Sequence, residues 1–412
     1  MTRLFPGGSM KILIHTMYFL PEFGSAPILM NELAAYLAQA GHDVEIITTI
    51  PRPPHNRGYE GKLFARETRQ GFRVKRFLTN FTPHYIGRLV AWSIFTALAT
   101  INLFSVGRED LLFLRLPPLQ LGLTGVLARR LRGAKVLLNV QDIHPDLSIE
   151  SGLLRNPFII QMAKAFEKWI YDHTEDIIVI SDGFKKNLEA KGVPSRKIRV
   201  LPNWVDTDVL RPLPRTNAVS QKFSLDDKFA VMYSGTISIS SYATLVRLLE
   251  AARALRHDPD IVFVIVGEGL KKNDLQSKAA GLSLPNVRFL PFQPYRDLPE
   301  LLASADVLLV PLDTEKSQLS VPSKLYNFMA AGRPVLGLVN EDSEVFKIIT
   351  ATACGTWAPP EDPRRMAEAI LALKRSPDLR AAMAARGRAF ALENFSRERV
   401  LKAFDEIISS MP

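Results

Sequence analysis

Short apolar runs alternate with helical patterns along most of the chain. The first set is the run 11–16, the stretch 28–40 with apolar residues at helical spacing, and the run 44–49. A strand, a helix and a strand in this order predict a βαβ unit, because parallel strands need a crossover connection. Further strands of the first half are predicted at 110–114, 135–140, 176–181 and 199–206.

The same alternation restarts after a polar, proline-bearing segment at 211–221, which we interpret as a linker. A strand at 229–234, a helix at 242–256 and a strand at 261–266 open the second half. Two alternating halves of similar size predict an α/β protein with two Rossmann-like sheets facing a cleft. Further predicted elements are strands at 287–290, 305–311 and 335–339, a helix at 297–304 and a mostly helical stretch at 362–404.

The segment 320–334 is the strongest candidate for a ligand site. Its helical pattern begins near Ser323 and Lys324 and is ended by a glycine and a proline. The apolar run 305–311 predicts a buried strand directly upstream, so the helix starts at the carboxyl edge of the sheet, where N–H groups bind phosphate. We expect a diphosphate there, held by Ser323, the backbone amides around it and Lys324. The alternative is an ordinary capped helix.

Three more loops of the second half follow predicted strands, at 235–241, 267–269 and 292–293. Gly235 and Gly267 permit close backbone approach. Turn chemistry alone could explain each loop, but convergence of all of them with segment 320–334 on one sheet edge favours a ligand site. The side chains that could donate hydroxyls to phosphate are those of Thr236, Ser238 and Ser240.

Two candidate catalytic groups follow the predicted strand 135–140. Asp142 and His144 lie at its carboxyl end and suit acid–base chemistry or sugar contact. Gly24 lies in the first strand-to-helix loop, where ligands approach. The other histidines lack metal-ligand spacing, so no metal site is predicted. A nucleophile elbow and a Walker A loop are both absent from the sequence, which disfavours a covalent hydrolase and an ATPase.

Charge is uneven along the 412 residues, whose net charge is +10. Residues 1–205 hold 26 Lys and Arg against 17 Asp and Glu. Eight of these cations lie between 52 and 76 and face only two glutamates of the same segment, which suits an anionic surface. No nucleic-acid motif accompanies them, so we expect no nucleic-acid partner. The single cysteine, Cys354, excludes an internal disulfide, and we expect no signal peptide at 1–9.

An uncharged stretch of 18 residues at 89–106 has the marginal length of a membrane span. Serine, threonine and asparagine dilute it, and strands of one predicted sheet lie on both sides. We therefore expect a buried or partly interfacial helix, with membrane-surface contact through its neighbourhood, and disfavour a spanning helix.

Several motifs resemble the family 4 glycosyltransferases of the two-domain, metal-independent GT-B architecture, and the resemblance runs over nearly the whole chain. The branch it most resembles moves fucose or N-acetylfucosamine onto lipid-linked acceptors in colanic acid, O-antigen and related exopolysaccharide biosynthesis. The motifs that carry the resemblance lie at 41–44, 180–181, 201–206, 233–235, 266–269, 322–335, 355 and 360–363.

The resemblance implies a retaining glycosyltransferase that needs no cofactor or metal. A nucleoside diphosphate sugar would bind mainly a C-terminal domain at 208–390, and the glycan acceptor an N-terminal domain at 1–207. The last helix, about 391–412, would pack back on the N-terminal domain. We expect such an enzyme in the cytoplasm, docked peripherally on the inner face of a bacterial plasma membrane through its basic N-terminal domain.

The resemblance also assigns roles to single residues. Gly24 would approach the donor diphosphate, and the loop from Gly235 would lie beside it. Asn327 would face the ribose, and Glu268 counts among the donor-binding residues. The residues that would border the base are Phe292 and Gln293.

Three departures from the family pattern bear on the chemistry. Its paired glutamates, with seven residues between them, fall on Leu319 and Asn327. The Arg and Lys expected after Gly235 are Thr236 and Ser241, and the His expected before Asp142 is a glutamine. These gaps favour one alternative, a catalytically silent scaffold that binds nucleotide sugar or glycan. A sugar-nucleotide epimerase of the same architecture is a further alternative.

Overall fold

The computed structural model describes residues 9–22, 24–79, 85–105, 107, 110–237, 239–312, 319 and 321–411, without the side chains at 85, 105, 239 and 240. Contacts divide the chain into two compact units. Unit 1 is Met1–Pro202 with Leu401–Pro412, and unit 2 is Asn203–Val400. The family resemblance implies the corresponding boundaries at 207/208 and near 391. In unit 1, the Phe404 ring packs on that of Phe113, with centroids 5.4 Å apart.

Unit 1 is built on an eight-stranded sheet in the order β3-β4-β2-β1-β5-β6-β7-β8. All neighbours are parallel except β3 and β4, which are antiparallel. The strands are β1 Lys11–His15, β2 Asp43–Thr49, β3 Phe64–Arg69, β4 Phe72–Phe77, β5 Leu111–Leu116, β6 Lys135–Val140, β7 Asp176–Val179 and β8 Ile198–Val200. The helices are α1 Ser25–Gln39, α2 Tyr85–Ile101, α3 Leu121–Arg132, α4 Asp146–Glu150, α5 Pro157–Asp172 and α6 Asp182–Ala190, with 3-10 turns at Asn102–Ser105 and Ser195–Lys197.

Unit 2 is built on a six-stranded, wholly parallel sheet in the order β11-β10-β9-β12-β13-β14. Its strands are β9 Phe229–Ser234, β10 Ile261–Val266, β11 Val287–Leu290, β12 Val307–Pro311, β13 Val335–Leu338 and β14 Gly355–Ala358. Its helices, with the last one continuing into unit 1, are α7 Ala218–Lys222, α8 Ile239–Ala254, α9 Lys272–Gly281, α10 Leu298–Ala303, α11 Ser323–Ala330, α12 Glu344–Thr352, α13 Pro363–Arg375, α14 Pro377–Asn394 and α15 Arg397–Ser409, with a 3-10 turn at Tyr295–Asp297.

The central strands read as continuous apolar runs because both faces of a parallel sheet are covered. Every residue of β5 and of β10 is buried. The periodic segments of the sequence therefore predict the central strands well, and the two doubly wound sheets confirm the predicted α/β class.

The basic segment 52–76 differs from the prediction. Its second half forms the hairpin of β3 and β4 at the edge of the sheet, and Phe72 and Val74 face the core. Arg76 is also inward and fully buried: it pairs with Glu67 at 2.7 Å and donates to the carbonyl of Thr49. An arginine at an inward position breaks the apolar alternation, so the strand is not recognisable from its pattern.

Three other cations of this segment pair with carboxylates outside it. The expectation that these cations face only the two glutamates of their own segment is therefore wrong. The positive field of the segment is weaker than its composition indicates. The pairs are Arg52 with Glu22 at 2.7 Å, Arg73 with Asp43 at 2.8 Å, and Lys75 with Glu45 at 2.6 Å.

The segment 211–221 is packed into unit 2 and is not a free linker. Arg215 pairs with Asp306 at 2.8 Å and donates to the carbonyl of Leu225 at 2.9 Å. Arg333 donates to the carbonyl of Leu213 at 2.9 Å. Polar, proline-bearing composition is common to linkers and to packed segments, and only the tertiary hydrogen bonds distinguish them.

The uncharged stretch 89–106 lies mostly in α2 and the 3-10 turn that follows it. Trp92 and Phe95 are buried, whereas Ile101 and Phe104 are exposed. Residues 86–104 form one helix long and apolar enough to cross a membrane, and a third of it is buried in the protein. Core helices of soluble proteins meet the same criterion.

Candidate active site

The strand order of unit 2 reverses between β9 and β12. From β9 the chain winds outward through β10 and β11, and from β12 it winds the other way through β13 and β14. Ligands of open α/β sheets bind at the carboxyl ends of the strands at such a point. Gly235 follows β9 directly, and the described part of the connection after β12 leads into α11. The fold thus brings both predicted regions to the switch point.

Lys324 lies in the first turn of α11 beside Gly235. Its Nζ is 3.1 Å from the hydroxyl of Tyr233 and 4.2 Å from the centroid of that ring. A Cβ built on Gly235 would lie 3.0 Å from the same Nζ. Among the described residues, no carboxylate pairs with Lys324. A cation held by an aromatic ring at a helix start is poised for an anion.

Tyr233 joins the loop after β9 to Lys324. Its side chain is fully buried, and its hydroxyl donates to the carbonyl of Thr236 at 2.6 Å. The Thr236 residue itself is exposed. Tyr233 lies in the family motif 233–235, but the sequence predicts no role for it. A phenolic hydroxyl near the carboxyl end of a buried strand is the signal that could have identified it.

The loop after β9 packs so closely on the loop after β10 that the second loop needs glycine at positions 267 and 269. The N–H of Gly235 donates to the carbonyl of Val266 at 3.0 Å, and that of Ile237 to the carbonyl of Glu268 at 2.8 Å. Gly267 and Gly269 have φ of 146° and 151°. A Cβ on Gly267 would overlap the carbonyl of Gly235. The close approach that Gly267 permits is therefore to the neighbouring loop.

Glu268 connects the loops after β10 and β11. Its carboxylate pairs with Lys272 at 2.6 Å and also accepts the backbone N–H of Phe292, and the Lys272 bond is the main reason that the pKa of Glu268 is lowered. The Phe292 ring is 49% exposed. The Gln293 amide donates to the carbonyl of Pro291 at 2.8 Å.

Helix α11 presents one partly exposed face and buries the other. Pro322 is the N-cap residue of α11, and no described side chain caps the helix start. Within the described residues, the N-terminal N–H groups thus lack a side-chain acceptor, which favours a ligand site over an ordinary capped helix. Its far end is held by Arg388, which donates to the carbonyl of Ala330 at 2.8 Å, a contact the sequence does not reveal. The partly exposed residues include Ser323, Lys324 and Asn327.

Two predicted hydroxyl donors lie outside the described structure. Ser238 is not described at all, and only the backbone of Ser240, at the start of α8, is described. Their contacts to phosphate stay predictions.

Unit 1 has its own switch point, between β1 and β5. Gly24 follows β1 and is the N-cap residue of α1, with φ of 135°. Asp142 follows β6, the neighbour of β5 in the sheet. The sequence-predicted residues of the first half therefore lie after β1 and β6, at the carboxyl edge of one sheet.

The pKa values of Asp142 and His144 are shifted in opposite directions. Burial raises the pKa of Asp142 to about 6, although Arg115 and Arg88 oppose the shift. Burial and Arg88 lower the pKa of His144 to about 4, so its ring is neutral at pH 7. The His144 ring packs edge-on against Trp92, with centroids 5.3 Å apart. Of the two candidate groups, Asp142 is the one that titrates close to neutrality.

Replacing Asp142 with Asn should change the pH dependence of stability. Because the folded pKa of about 6 lies above the ordinary value of 3.8, the wild type is favoured by this group below pH 4 and loses that stability as pH rises to 6. We expect Asp142→Asn to gain roughly 2 kcal/mol of unfolding free energy relative to wild type between pH 4 and pH 7. Urea unfolding at both pH values measures this, and a constant difference would contradict it.

Two family descriptions match most of the chain between them. "Glycosyl transferase 4-like domain" matches residues 26–204, in unit 1 and the start of unit 2, and "Glycosyl transferases group 1" matches residues 216–390, within unit 2. The chain is a glycosyltransferase. The second match contains every residue of unit 2 that is predicted from the sequence to bind the donor.

Curated relatives of this glycosyltransferase agree with that assignment. WcaI of Escherichia coli (strain K12), provisionally assigned as a colanic acid biosynthesis glycosyl transferase, is 28% identical over 78% of this chain and 82% of its own. WbjE of Pseudomonas aeruginosa, provisionally assigned as a glycosyltransferase, is 26% identical over 64% of this chain and 66% of its own.

Solved structures confirm the predicted GT-B fold. Anabaena Alr3699/HepE, crystallised in complex with UDP, superposes with a TM-score of 0.74 at 16% identity, over 98% of this chain and all of that one. WaaG, a glycosyltransferase involved in lipopolysaccharide biosynthesis, gives a TM-score of 0.68 at 17% identity over 97% of this chain and all of its own.

Proposed function

We propose that this glycosyltransferase moves a fucose-type sugar from a nucleoside diphosphate donor to a lipid-linked glycan, with retention of configuration and without a metal. The single observation that carries the proposal is the Lys324 ammonium, held on the Tyr233 ring beside Gly235 at the switch point of unit 2. The colanic acid assignment of WcaI and the UDP bound to HepE support the substrate classes.

The donor diphosphate would bind at the start of α11. The backbone N–H groups there supply fixed dipoles, and the Lys324 ammonium supplies a positive charge. Both favour a bound anion. Negative charge grows on the diphosphate as the bond between the sugar C1 and the phosphate oxygen breaks, so the same groups would stabilise the transition state. Phe292, half exposed after β11, would border the base, and Asn327 would face the ribose.

The acceptor would bind unit 1 near Asp142. The acceptor oxygen forms the new bond to C1 on the face that the diphosphate leaves, and its proton passes to the departing phosphate oxygen. Asp142 would accept a hydrogen bond from an acceptor hydroxyl and orient it, and a group with a pKa of about 6 is largely ionised at pH 7 and suited to that role.

A donor panel tests the function. Thermal shift of the full chain with UDP, GDP and their sugar derivatives should identify one preferred nucleotide. Release of that nucleoside diphosphate should then require a lipid-linked acceptor. Binding without release would favour the scaffold alternative, release of nucleotide without any acceptor would favour the epimerase, and failure to bind any nucleotide would contradict all three.

We also propose that unit 1 docks on an anionic membrane. The exposed apolar side chains of α2 and its 3-10 turn include Ile86, Ile101 and Phe104, the last 83% exposed. Arg132, in the basic last turn of α3, donates to the Phe104 carbonyl. A nearby groove of about 260 Å³ is lined by apolar and basic residues, among them Phe64, Arg66, Lys75, Leu98 and Ile101. Apolar side chains beside cations suit the interface of an anionic bilayer.

Replacing both Ile101 and Phe104 with Ser should weaken this docking. Each buried apolar side chain contributes roughly 1.5–3 kcal/mol, so we expect at least a 10-fold loss in binding to vesicles that contain phosphatidylglycerol. Co-sedimentation measures it. Leu379→Ser, on α14 of unit 2, is the matched control and should leave binding unchanged. Equal binding of the double variant and wild type would contradict the proposal.

A further inference from the structure

The side chain of Arg115, on β5 of unit 1, is buried without a described partner. Only 7% of the residue is exposed, and its Nε is buried and makes no hydrogen bond. Among the described residues, none accepts a hydrogen bond from the guanidinium. This group carries five N–H donors and a permanent charge, and burying it without acceptors is costly. The guanidinium is therefore available to an acceptor that the described residues do not supply.

The place of Arg115 in the fold is where a ligand is expected. It is the last residue but one of β5, which neighbours β1 at the switch point of the unit 1 sheet. Asp142, after the adjacent strand β6, carries the negative charge that acts on Arg115, and Tyr18, after β1, also lies within electrostatic range of it. Arg115 therefore lies at the carboxyl edge beside the residue that we propose orients the acceptor.

Two described carboxylates near this edge interact with cations other than Arg115. Glu22 pairs with Arg52 at 2.7 Å and Asp146 with Lys191 at 2.7 Å. Asp142 is acted on by both Arg115 and Arg88. His144 adds no charge, because its ring is neutral at pH 7. The buried guanidinium of Arg115 therefore favours a ligand that brings negative charge.

We propose that Arg115 binds an anionic group of the acceptor, a carboxylate or a phosphate, through its planar fork of N–H donors. Carboxylate and phosphate oxygens match that fork in a bidentate manner, which a neutral hydroxyl does not. Asp142 then remains available for a hydroxyl of the same acceptor. The inference rests on the proposed function, because it names the chemical class of that acceptor.

The test uses the full chain, with Arg115→Met and Arg115→Lys as variants and Arg130→Met, an exposed cation on α3, as the matched control. Ligand-observed NMR with glucuronate, inorganic phosphate and glucose separates a sugar carboxylate, a phosphate and a neutral sugar. We expect the wild type to bind glucuronate or phosphate and not glucose, with a Kd that rises at least 10-fold in Arg115→Met and changes less than twofold in Arg130→Met. Arg115→Lys should bind weakly, since an ammonium lacks the fork.

Two further measurements distinguish ligand binding by Arg115 from a structural role of this residue and from an effect on the donor site. Removing an unpartnered buried cation should leave the Tm of Arg115→Met equal to or above that of wild type, whereas a structural arginine would give a lower Tm. UDP or GDP affinity should be unchanged in all variants. Glucose binding that depends on Arg115, or anion binding that does not, would overturn the inference. If the wild type bound neither UDP nor GDP, the result would instead contradict the proposed function.

Discussion

Lys324→Met is expected to lower kcat/KM for the donor by about 10- to 100-fold. A hydrogen bond to a charged group contributes roughly 1.5–3 kcal/mol, and this bond would strengthen as charge develops on the diphosphate. The Tyr233 ring and hydroxyl already hold the ammonium in place, so little side-chain freedom remains to be lost on binding. Initial rates at varied donor concentration give the ratio.

Lys347→Met is the matched control for this change. Lys347 lies on α12 of the same unit and pairs with Glu344 at 2.7 Å, and its side chain is about half exposed. Its loss should leave kcat/KM within twofold of wild type. Equal effects of the two substitutions would mean that general charge, and not the position of Lys324, governs donor use.

Gly267→Ala is expected to destabilise unit 2 by at least about 3 kcal/mol and to abolish donor binding. The φ of 146° is strained for any side chain, which costs roughly 1–3 kcal/mol. The new Cβ would also overlap the carbonyl of Gly235, so the loop after β9 must move. Urea unfolding measures the first effect, and titration with UDP or GDP measures the second.

Gly281→Ala controls for the general effect of an added methyl group. Gly281 is the last residue of α9, and a Cβ there would meet no atom within 4 Å. Alanine is the better helix former by up to about 1 kcal/mol, so this variant should be as stable as wild type or slightly more stable. If Gly267→Ala matched Gly281→Ala in stability and nucleotide affinity, the packing of the two loops would not be required for the site.

The sequence predicts the central strands of both sheets because burial on both faces leaves a continuous apolar run. The runs at 229–234 and 261–266 are β9 and β10 as predicted. Edge elements follow no such rule. The β3–β4 hairpin is not predicted because Arg76 occupies an inward position and owes its burial to Glu67, a partner on the other strand.

The candidate site likewise contains residues that local pattern predicts and residues whose roles depend on tertiary contacts. Gly235 and Lys324 are predicted separately, from turn chemistry and from a helix start, and the strand order brings them together. The roles of Tyr233 and Arg388 are not predicted, because they depend on contacts with residues distant along the chain. Tyr233 contacts Lys324, and Arg388 contacts Ala330. Local pattern can indicate which loops bind a ligand, but the groups that hold those loops in place are tertiary.

The central claim is that a donor diphosphate binds at the start of α11, and a crystal structure of the full chain with its preferred nucleoside diphosphate tests it most directly. We expect phosphate oxygens about 2.7–2.9 Å from Lys324 Nζ, the distance of a charge-assisted hydrogen bond, and within reach of the N–H groups at the start of the helix. A nucleotide bound elsewhere on unit 2, with Lys324 still directed only at Tyr233, would contradict the account.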